Sequence, residues 1–456
     1  MFKALHALSE KTEKIPVPIQ RTTLLSRRRH TVGSLEVGLS ILAFFVLIFL
    51  QVPVAVTLGI ILVACFSMLG LDNIELAIDS YQSLDSFPML AIPMFILAGT
   101  LMATGGVAQR ILDLADEFVG HLPGGLAIVT IFASVLFGGL SGSAPATVAA
   151  IGSITIPEMI RQGYSRGFAA GLTACSGVIA IIIPPSNPMI IYALTQPGTS
   201  VSTMFLSGLI PGLLVAVSMA IPAYYISKKN NWGGDRQAGT ATTRLKALAH
   251  AKWAILTPVI ILGGIYSGVF TPTESAAVAS LYAFIVGVFI HRELKLKDTY
   301  QVLSTSAIIT VVAMFLIPFA VALGKLLSSQ QVPELLTAMM ASHMSGYIST
   351  VVLIVILLLL VGCIMDTLAS IIILTPLLYP LLTPYGVSPY HFGMILIVGL
   401  GLGFVTPPLG GNLFIANQIS QTAVHKVFTG ALPMLLGMLA ALLAIAFFPM
   451  ISDIFI

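Results

Sequence analysis

Two long apolar segments of this chain are each interrupted by a proline pair: Ile183-Pro184-Pro185-Ser186-Asn187-Pro188 lies within residues 167–196, and Thr406-Pro407-Pro408-Leu409-Gly410-Gly411-Asn412 lies within residues 390–417. Proline removes a backbone donor and clashes with the preceding turn, so each pair ends a helix. In hydrocarbon every backbone amide must be paired, and such breaks are tolerated only where they face protein or a water-filled cavity. The two stretches therefore predict two broken transmembrane helices whose breaks face protein or a water-filled cavity.

Composition places the chain in a membrane. Of its 456 residues, 57% are hydrophobic and 9% are charged, against roughly 45–50% apolar and about 25% charged in a soluble domain. The net charge of +3 is too small and too scattered to indicate a nucleic-acid partner. Cys65, Cys175 and Cys363 lie in apolar runs without CxxC spacing, which excludes a disulfide framework and a zinc site. The sequence predicts an all-α integral membrane protein whose spans each need about 20 apolar residues.

Two halves of the chain match each other in the same order at an offset of about 220 to 225 residues. Besides the proline pairs, the matches are Ile92-Pro93-Met94-Phe95 with Ile317-Pro318-Phe319-Ala320, and Phe205-x-x-Gly208-x-x-Pro211 with Phe428-x-Gly430-x-x-Pro433. A constant order and a nearly constant offset predict an internal duplication. The predicted organisation is a basic polar tail (1–35), a first repeat (36–227), a connector (228–253) and a second repeat (254–451).

Each repeat also contains a long apolar segment with a polar centre, just before the broken helix. Residues 126–160 are centred on Gly138–Pro145, and residues 349–382 are centred on Cys363–Leu368. Both fit a re-entrant helical hairpin, which enters and leaves the membrane on one face. If the hairpins do not cross, each repeat crosses the membrane an odd number of times, and the two repeats are inverted relative to each other.

The charged residues of the loops support this topology. If the connector 228–253 is cytoplasmic, the other loop Lys and Arg residues fall inside except Lys325, as the positive-inside rule expects, and the acidic loop with Asp72 and Asp79 falls outside. The basic tail then falls outside as well, against the rule. An upstream span absent from this chain, a misassigned translation start and a true exception remain open as explanations.

The interruptions also supply groups that bind ions. A broken helix frees carbonyl oxygens for a small cation and amide groups for an anion. Hydroxyl and amide oxygens at the same places add neutral ligands that suit sodium; they belong to Ser141, Ser143, Ser186, Asn187, Thr367, Thr406 and Asn412. Alternatively, the prolines and glycines only kink spans and the hydroxyls bond to the preceding turn. Recurrence of the breaks at matched positions favours the ion sites.

Asp366 is the one acid at the depth of the hairpins, where a charge costs several kcal/mol unless it is paired or hydrated. It either contributes to a second cation site or caps the helix that follows, with Ser370 and nearby amides as partners. The sequence has no paired carboxylates, Ser/His/Asp spacing, P-loop or dinucleotide fingerprint. It therefore indicates neither an enzyme nor an ATP-driven pump, and favours a secondary transporter.

The residues at the interruptions resemble a known family. Phe137–Thr147, Pro184–Pro188 and Gly403–Asn412 are similar to the large membrane subunit of tripartite ATP-independent periplasmic (TRAP) transporters, the DctM-like subunit, over about residues 36–450. The resemblance implies a sodium-coupled importer of a carboxylate-bearing solute, such as a dicarboxylate, sialic acid or another sugar or keto acid. It implies an elevator in the bacterial inner membrane, surrounded by lipid, with no cofactor and with Na⁺ as coupling ion. Its implied partners are a small four-helix DctQ-like subunit and a periplasmic DctP-like binding protein.

The resemblance also assigns site residues. The first sodium site would use Ser141, Ser143, Ser186 and Asn187, and the second would use Asp366, Thr367, Thr406, Gly411 and Asn412. The substrate region between the hairpin tips would add Gly142, Ala144, Pro185, Leu368 and Pro408. No Arg lies at the predicted midplane to bind a carboxylate, so the sequence does not identify the solute. A stand-alone sodium/carboxylate symporter of related architecture is the main alternative; a passive channel and an intramembrane hydrolase have less support.

Overall fold

The fold is all-helical. A computed structural model describes residues 52–233, 238–332 and 346–456, with four isolated positions between 43 and 50. In these ranges every regular element is a helix and no strand occurs, which confirms the predicted all-α class. The basic tail (1–35) and the start of the first predicted span lie outside the described residues.

The described helices follow one another through two halves. The first half contains α1 (Val54–Met68), α2 (Asn73–Leu84), α3 (Ala91–Thr104), α4 (Val107–Val119), α5 (Gly125–Ser141), α6 (Ala144–Arg161), α7 (Arg166–Val178), α8 (Asn187–Thr195) and α9 (Val201–Lys229). The second half contains α10 (Ala241–Tyr266), α11 (Pro272–Ile285), α12 (Leu296–Ser329), α13 (Tyr347–Gly362), α14 (Thr367–Leu382), α15 (Pro389–Gly403), α16 (Gly411–Ser420), α17 (Val424–Phe447) and the short α18 (Met450–Asp453). The predicted connector 228–253 is therefore partly helical, because α9 ends at Lys229 and α10 begins at Ala241.

The lengths of the apolar helices show a multi-pass membrane protein. Within the described ranges, seven helical stretches are long and apolar enough to cross a membrane. Other apolar helices are too short to cross alone, since a span needs about 20 residues; among them are Gly125–Ser141, Arg166–Ile181, Tyr347–Gly362 and Pro389–Gly403. Each of these four ends at one of the interruptions seen in the sequence. The orientation of the two halves and any elevator movement remain predictions.

The two halves interleave around the interruptions. Helix α16 of the second half packs against α6 and α7 of the first, and α8 of the first half packs against α14 of the second. Helices α7 and α17 touch through their backbones: a methyl group added at Gly430 would lie 2.0 Å from the carbonyl oxygen of Gly167. Small residues at a helix crossing allow this close approach in a membrane. The first broken helix is therefore held between elements of the second half.

Single cysteines test the predicted sidedness of the loops. Ser200 and Ala241 are both exposed, at the start of α9 and of α10 respectively. In a background without the three native cysteines, a membrane-impermeant thiol reagent should label Ser200→Cys in intact spheroplasts. It should label Ala241→Cys only after permeabilisation. The opposite pattern would overturn the predicted topology.

Candidate functional site

The tip of the first hairpin lies against the first broken helix. Gly142 separates α5 from α6 with φ +57°, a left-handed conformation that favours glycine. Its carbonyl oxygen accepts a hydrogen bond of 3.4 Å from the backbone N–H of Asn187. A methyl group at Gly142 would lie 3.0 Å from the carbonyl oxygen of Pro185, so the position also lacks space for a side chain. The structure thus brings the predicted residues Ser141–Ser143 and Pro185–Asn187 together.

The polar side chains of this first site are largely withdrawn from solvent. The hydroxyls of Ser141 and Thr147 share a hydrogen bond of 2.9 Å, and Ser143 caps α6 by accepting from Ala146 N–H. Ser186 Oγ donates to the carbonyl oxygen of Ile181 at 2.6 Å and accepts from the backbone N–H of Met189 at 3.5 Å, which leaves one lone pair available. Asn187 is 7% exposed, and its Oδ1 has no hydrogen-bond partner among the described residues.

The second hairpin tip lies against the second broken helix in a corresponding way. Leu409 N–H donates to the carbonyl oxygen of Cys363 at 3.1 Å, and Asn412 N–H donates across the break to Phe404 at 3.3 Å. Thr406 Oγ1 donates to the carbonyl oxygen of Leu402 at 2.9 Å, which leaves its lone pairs available. The structure thus brings the tip that precedes Asp366 and Thr367 next to Thr406–Asn412.

The two interruptions differ in exposure. The first is buried from Ile183 to Asn187, whereas Pro407–Leu409 are exposed, with Leu409 at 52%. Asp366 is exposed as well, and its carboxylate caps α14 by accepting from Leu368 N–H at 2.9 Å. Ser370 Oγ donates to the backbone carbonyl of Asp366 and not to its carboxylate. The capping role of Asp366 is therefore present in the structure, while its role as an ion ligand remains a prediction.

Asn412 joins the two halves of the chain. Its side chain is fully buried, and Nδ2 donates to the carbonyl oxygen of Ala174 in α7 at 3.0 Å. A carbonyl oxygen only accepts hydrogen bonds, so the amide must turn its NH₂ group towards Ala174. Asn412 Oδ1 then faces the other way, and it has no partner in the described part of the chain. Each half thus contributes one buried asparagine with an available amide oxygen.

The predicted substrate region is only partly assembled. Pro185 lies beside Gly142, and both Pro185 and Pro408 follow a cis peptide bond. No hydrogen bond among the described residues joins the two hairpin tips, so an anion position between them, near Ala144 and Leu368, remains a prediction. A cavity of about 750 Å³ lies elsewhere, where α4 faces the outer ends of α5 and α6, and its lining includes Asp113, Leu126 and Glu158.

Three residues that shape the site were not predicted from the sequence. Thr147 bonds Ser141 across the hairpin turn, the Ala174 carbonyl orients Asn412, and Gly177 gives room for that contact. Thr147 lies in the segment Phe137–Thr147 that resembles the family, and this resemblance is the signal that could have identified it. No pattern in the sequence identifies Ala174 or Gly177. Ala174 contacts the other half of the chain, and Gly177 contacts both that half and another helix.

Apart from the Asp366 carboxylate, the candidate donors are neutral oxygens. In the described ranges, no group of three or more His, Cys, Asp or Glu side chains is arranged to hold a metal ion. Hydroxyl, amide and carbonyl oxygens suit a hard cation better than a transition metal. A multi-pass helical protein with paired interruptions and buried amide oxygens beside them belongs to the class of membrane transporters built on discontinuous helices.

Comparison with known proteins identifies the family. A model for the DctM component of the tripartite ATP-independent periplasmic transporter matches residues 41–451. The chain belongs to this family of TRAP transporter large permeases.

Relatives of this chain are named as TRAP transporter permeases. The isethionate TRAP transporter permease protein DctMQ of Oleidesulfovibrio alaskensis is 40% identical over 90% of this chain, which spans 65% of that relative. The C4-dicarboxylate TRAP transporter large permease protein DctM of Pseudomonas aeruginosa is 37% identical over 83% of this chain and 88% of its own length. The sialic acid TRAP transporter large permease protein SiaM of Vibrio cholerae is 35% identical over 90% of this chain and 96% of its own length. The chain is therefore a transporter component and not an enzyme.

Solved structures share the fold at low identity. The Alcanivorax borkumensis YdaH transporter has a TM-score of 0.58 at 15% identity, over 81% of this chain and 87% of that chain. Neisseria gonorrhoeae MtrF has a TM-score of 0.53 at 13% identity, over 82% of this chain and 83% of that chain. At these identities the likeness concerns the fold alone.

Proposed function

We propose that this chain is the large transmembrane subunit of a sodium-coupled TRAP transporter in a bacterial inner membrane. The observation that carries the proposal is the pair of buried amide oxygens, Oδ1 of Asn187 and Oδ1 of Asn412, without partners in the described ranges. A buried acceptor without a partner costs about 1–3 kcal/mol. A sodium ion at each position removes that cost, with the hydroxyls of Ser141, Ser143, Ser186, Thr367 and Thr406, the Asp366 carboxylate and the Gly411 backbone as further ligands.

The solute is an organic anion, and we favour a carboxylate. The N-termini of α8 and α16 lie at the two interruptions, and the positive end of each helix dipole attracts anions. Relatives are named for C4-dicarboxylate, sialic acid and isethionate. The first two carry carboxylates and the third a sulfonate, so all three present an anionic oxygen group to such a site.

The transporter works with two partners, a small four-helix DctQ-like subunit and a periplasmic DctP-like protein that delivers the solute. In the elevator that we propose, the hairpins α5–α6 and α13–α14 move with the broken helices α7–α8 and α15–α16. The interleaving of α16 with α6 and α7, and of α8 with α14, supports a single moving body. The remaining spans stay in the lipid as the scaffold.

Reconstitution tests the proposed function. Proteoliposomes that contain this chain and its small subunit should take up radiolabelled solute only with an inward Na⁺ gradient and with the binding protein outside. Omission of either should lower the uptake rate at least roughly tenfold, because each supplies a binding step that the chain does not make alone. A panel of malate, sialic acid and isethionate distinguishes carboxylate from sulfonate.

The same preparation separates the alternatives. A stand-alone symporter predicts full sodium-dependent uptake of free solute without the binding protein. A passive channel predicts flux without sodium. Uptake that is independent of both sodium and the binding protein would contradict the proposed function.

A further inference from the structure

Gly177, near the end of α7, lies between the opening turns of α6 and the side chain of Asn412. A methyl group added there would lie 2.3 Å from Val148 Cγ2, 3.0 Å from the carbonyl oxygen of Ala144 and 3.2 Å from Asn412 Nδ2. The first two atoms belong to the opening turns of α6, and the third belongs to the second site. No side chain fits between them without a shift of at least one neighbour.

The side of α6 at this contact is continuous with the first site. Ser143 caps α6 directly before Ala144, and Thr147, which bonds Ser141, directly precedes Val148. These residues share one rigid helical turn, so a displacement of the hairpin tip moves Ala144 and Val148 together. That displacement presses on Gly177.

The contact between α7 and Asn412 determines the direction of the Asn412 side-chain amide. Gly177 belongs to the same helical turn as Ala174, whose carbonyl oxygen holds Asn412 Nδ2 at 3.0 Å. Because this hydrogen bond fixes the amide, it also fixes the direction of Oδ1. A shift of α7 by a few tenths of an ångström therefore redirects the oxygen that the second site offers.

We propose that Gly177 is a positioning residue that couples the two cation sites, so that occupancy of the first site orients the Asn412 oxygen for the second. The inference rests on the proposed sodium coupling. Close neighbours connect the two sites: Ser141 bonds Thr147, Val148 lies against Gly177, and Ala174 in the same turn as Gly177 holds Asn412. Na⁺ binding at the two sites is consequently cooperative.

Sodium-dependent thermal stabilisation of the purified permease tests this coupling without any transport step, since an ion that binds only the folded protein raises its Tm. Potassium chloride at equal ionic strength is the reference. Wild type should respond with a Hill coefficient above one. Gly177→Ala should need roughly three- to tenfold more Na⁺ for half of the shift, with a Hill coefficient near one.

A second variant keeps the test decisive if Gly177→Ala does not fold. Val148→Ala removes the closest clash, so Gly177→Ala with Val148→Ala keeps the contacts with Ala144 and Asn412. Its Na⁺ midpoint should stay roughly threefold above that of Val148→Ala alone, a smaller ratio than in the wild-type background because Val148→Ala already removes part of the contact. Gly152→Ala is the matched control: it crowds Thr173, Ile156 and Ile419 in the same α6–α7–α16 packing, away from Asn412, and should respond to Na⁺ like wild type.

The outcomes separate the two claims. If wild type shows no Na⁺-specific stabilisation, the proposed sodium coupling fails. If wild type responds but Gly177→Ala with Val148→Ala follows the Val148→Ala curve, the positioning role of Gly177 is overturned. A wild-type Hill coefficient of one overturns the coupling between the sites.

Discussion

Asn412→Ala should strongly weaken the activation of solute uptake by sodium at physiological Na⁺ concentrations. The substitution removes Oδ1, which is fully buried and has no partner within the described residues, and with it one ligand of the second candidate site. It also leaves the Ala174 carbonyl oxygen without the Nδ2 donor. The lost ligand contributes about 1–3 kcal/mol to Na⁺ binding, and every 1.4 kcal/mol changes a binding constant tenfold. The unpaired Ala174 carbonyl lowers the stability of the variant with or without Na⁺. The Na⁺ concentration for half-maximal uptake should rise at least roughly tenfold.

The measurement is a Na⁺ titration of uptake in proteoliposomes, together with the Tm of each purified variant. Asn417→Ala is a suitable control, since Asn417 lies in the same helix, α16, and donates instead to the carbonyl oxygen of Thr422 outside the site. It should keep a wild-type Na⁺ midpoint. An Asn412→Ala protein that folds and retains a wild-type midpoint would contradict the second site.

The parts of this structure that could be predicted are those with a local cause. Proline pairs, a glycine with positive φ and capping hydroxyls act within one turn of the chain. The sequence therefore predicted the breaks at Gly142 and at the two proline pairs, and it identified Asn187 and Asn412 as candidate ligands. The same local rule gave two interpretations of Asp366, and its carboxylate does cap α14.

The contacts that orient the candidate ligands have no local cause. Asn412 and Ala174 are 238 positions apart in the chain, and no pattern in either segment shows that their helices touch. The match between the halves aligned α7–α8 with α15–α16, but an alignment of repeats says which elements correspond and not which elements pack. The interleaving of α16 with α6 and α7 is a property of the folded chain.

Gly430→Ala should prevent recovery of folded permease or lower its Tm by many degrees. A Cβ at this position would lie 2.0 Å from the carbonyl oxygen of Gly167 and 2.7 Å from the backbone nitrogen of Phe168, and backbone atoms in a helix cannot turn aside. Helices α7 and α17 would have to separate along their contact, where a methyl group added at Gly171 would also lie 2.4 Å from Ala431 N. Overpacking of this kind costs about 1–3 kcal/mol or more.

Gly263→Ala is the control for Gly430→Ala, because it also replaces a helical glycine but at a position where a methyl group has room. Gly263 also lies inside a long apolar helix, α10, but a methyl group there would meet no atom within 4 Å. Alanine favours a helix over glycine by about 1 kcal/mol, so this variant should be as stable as wild type or more so. Yield and Tm in detergent compare the pair. Equal stability of the two variants would show that α7 and α17 are not in backbone contact.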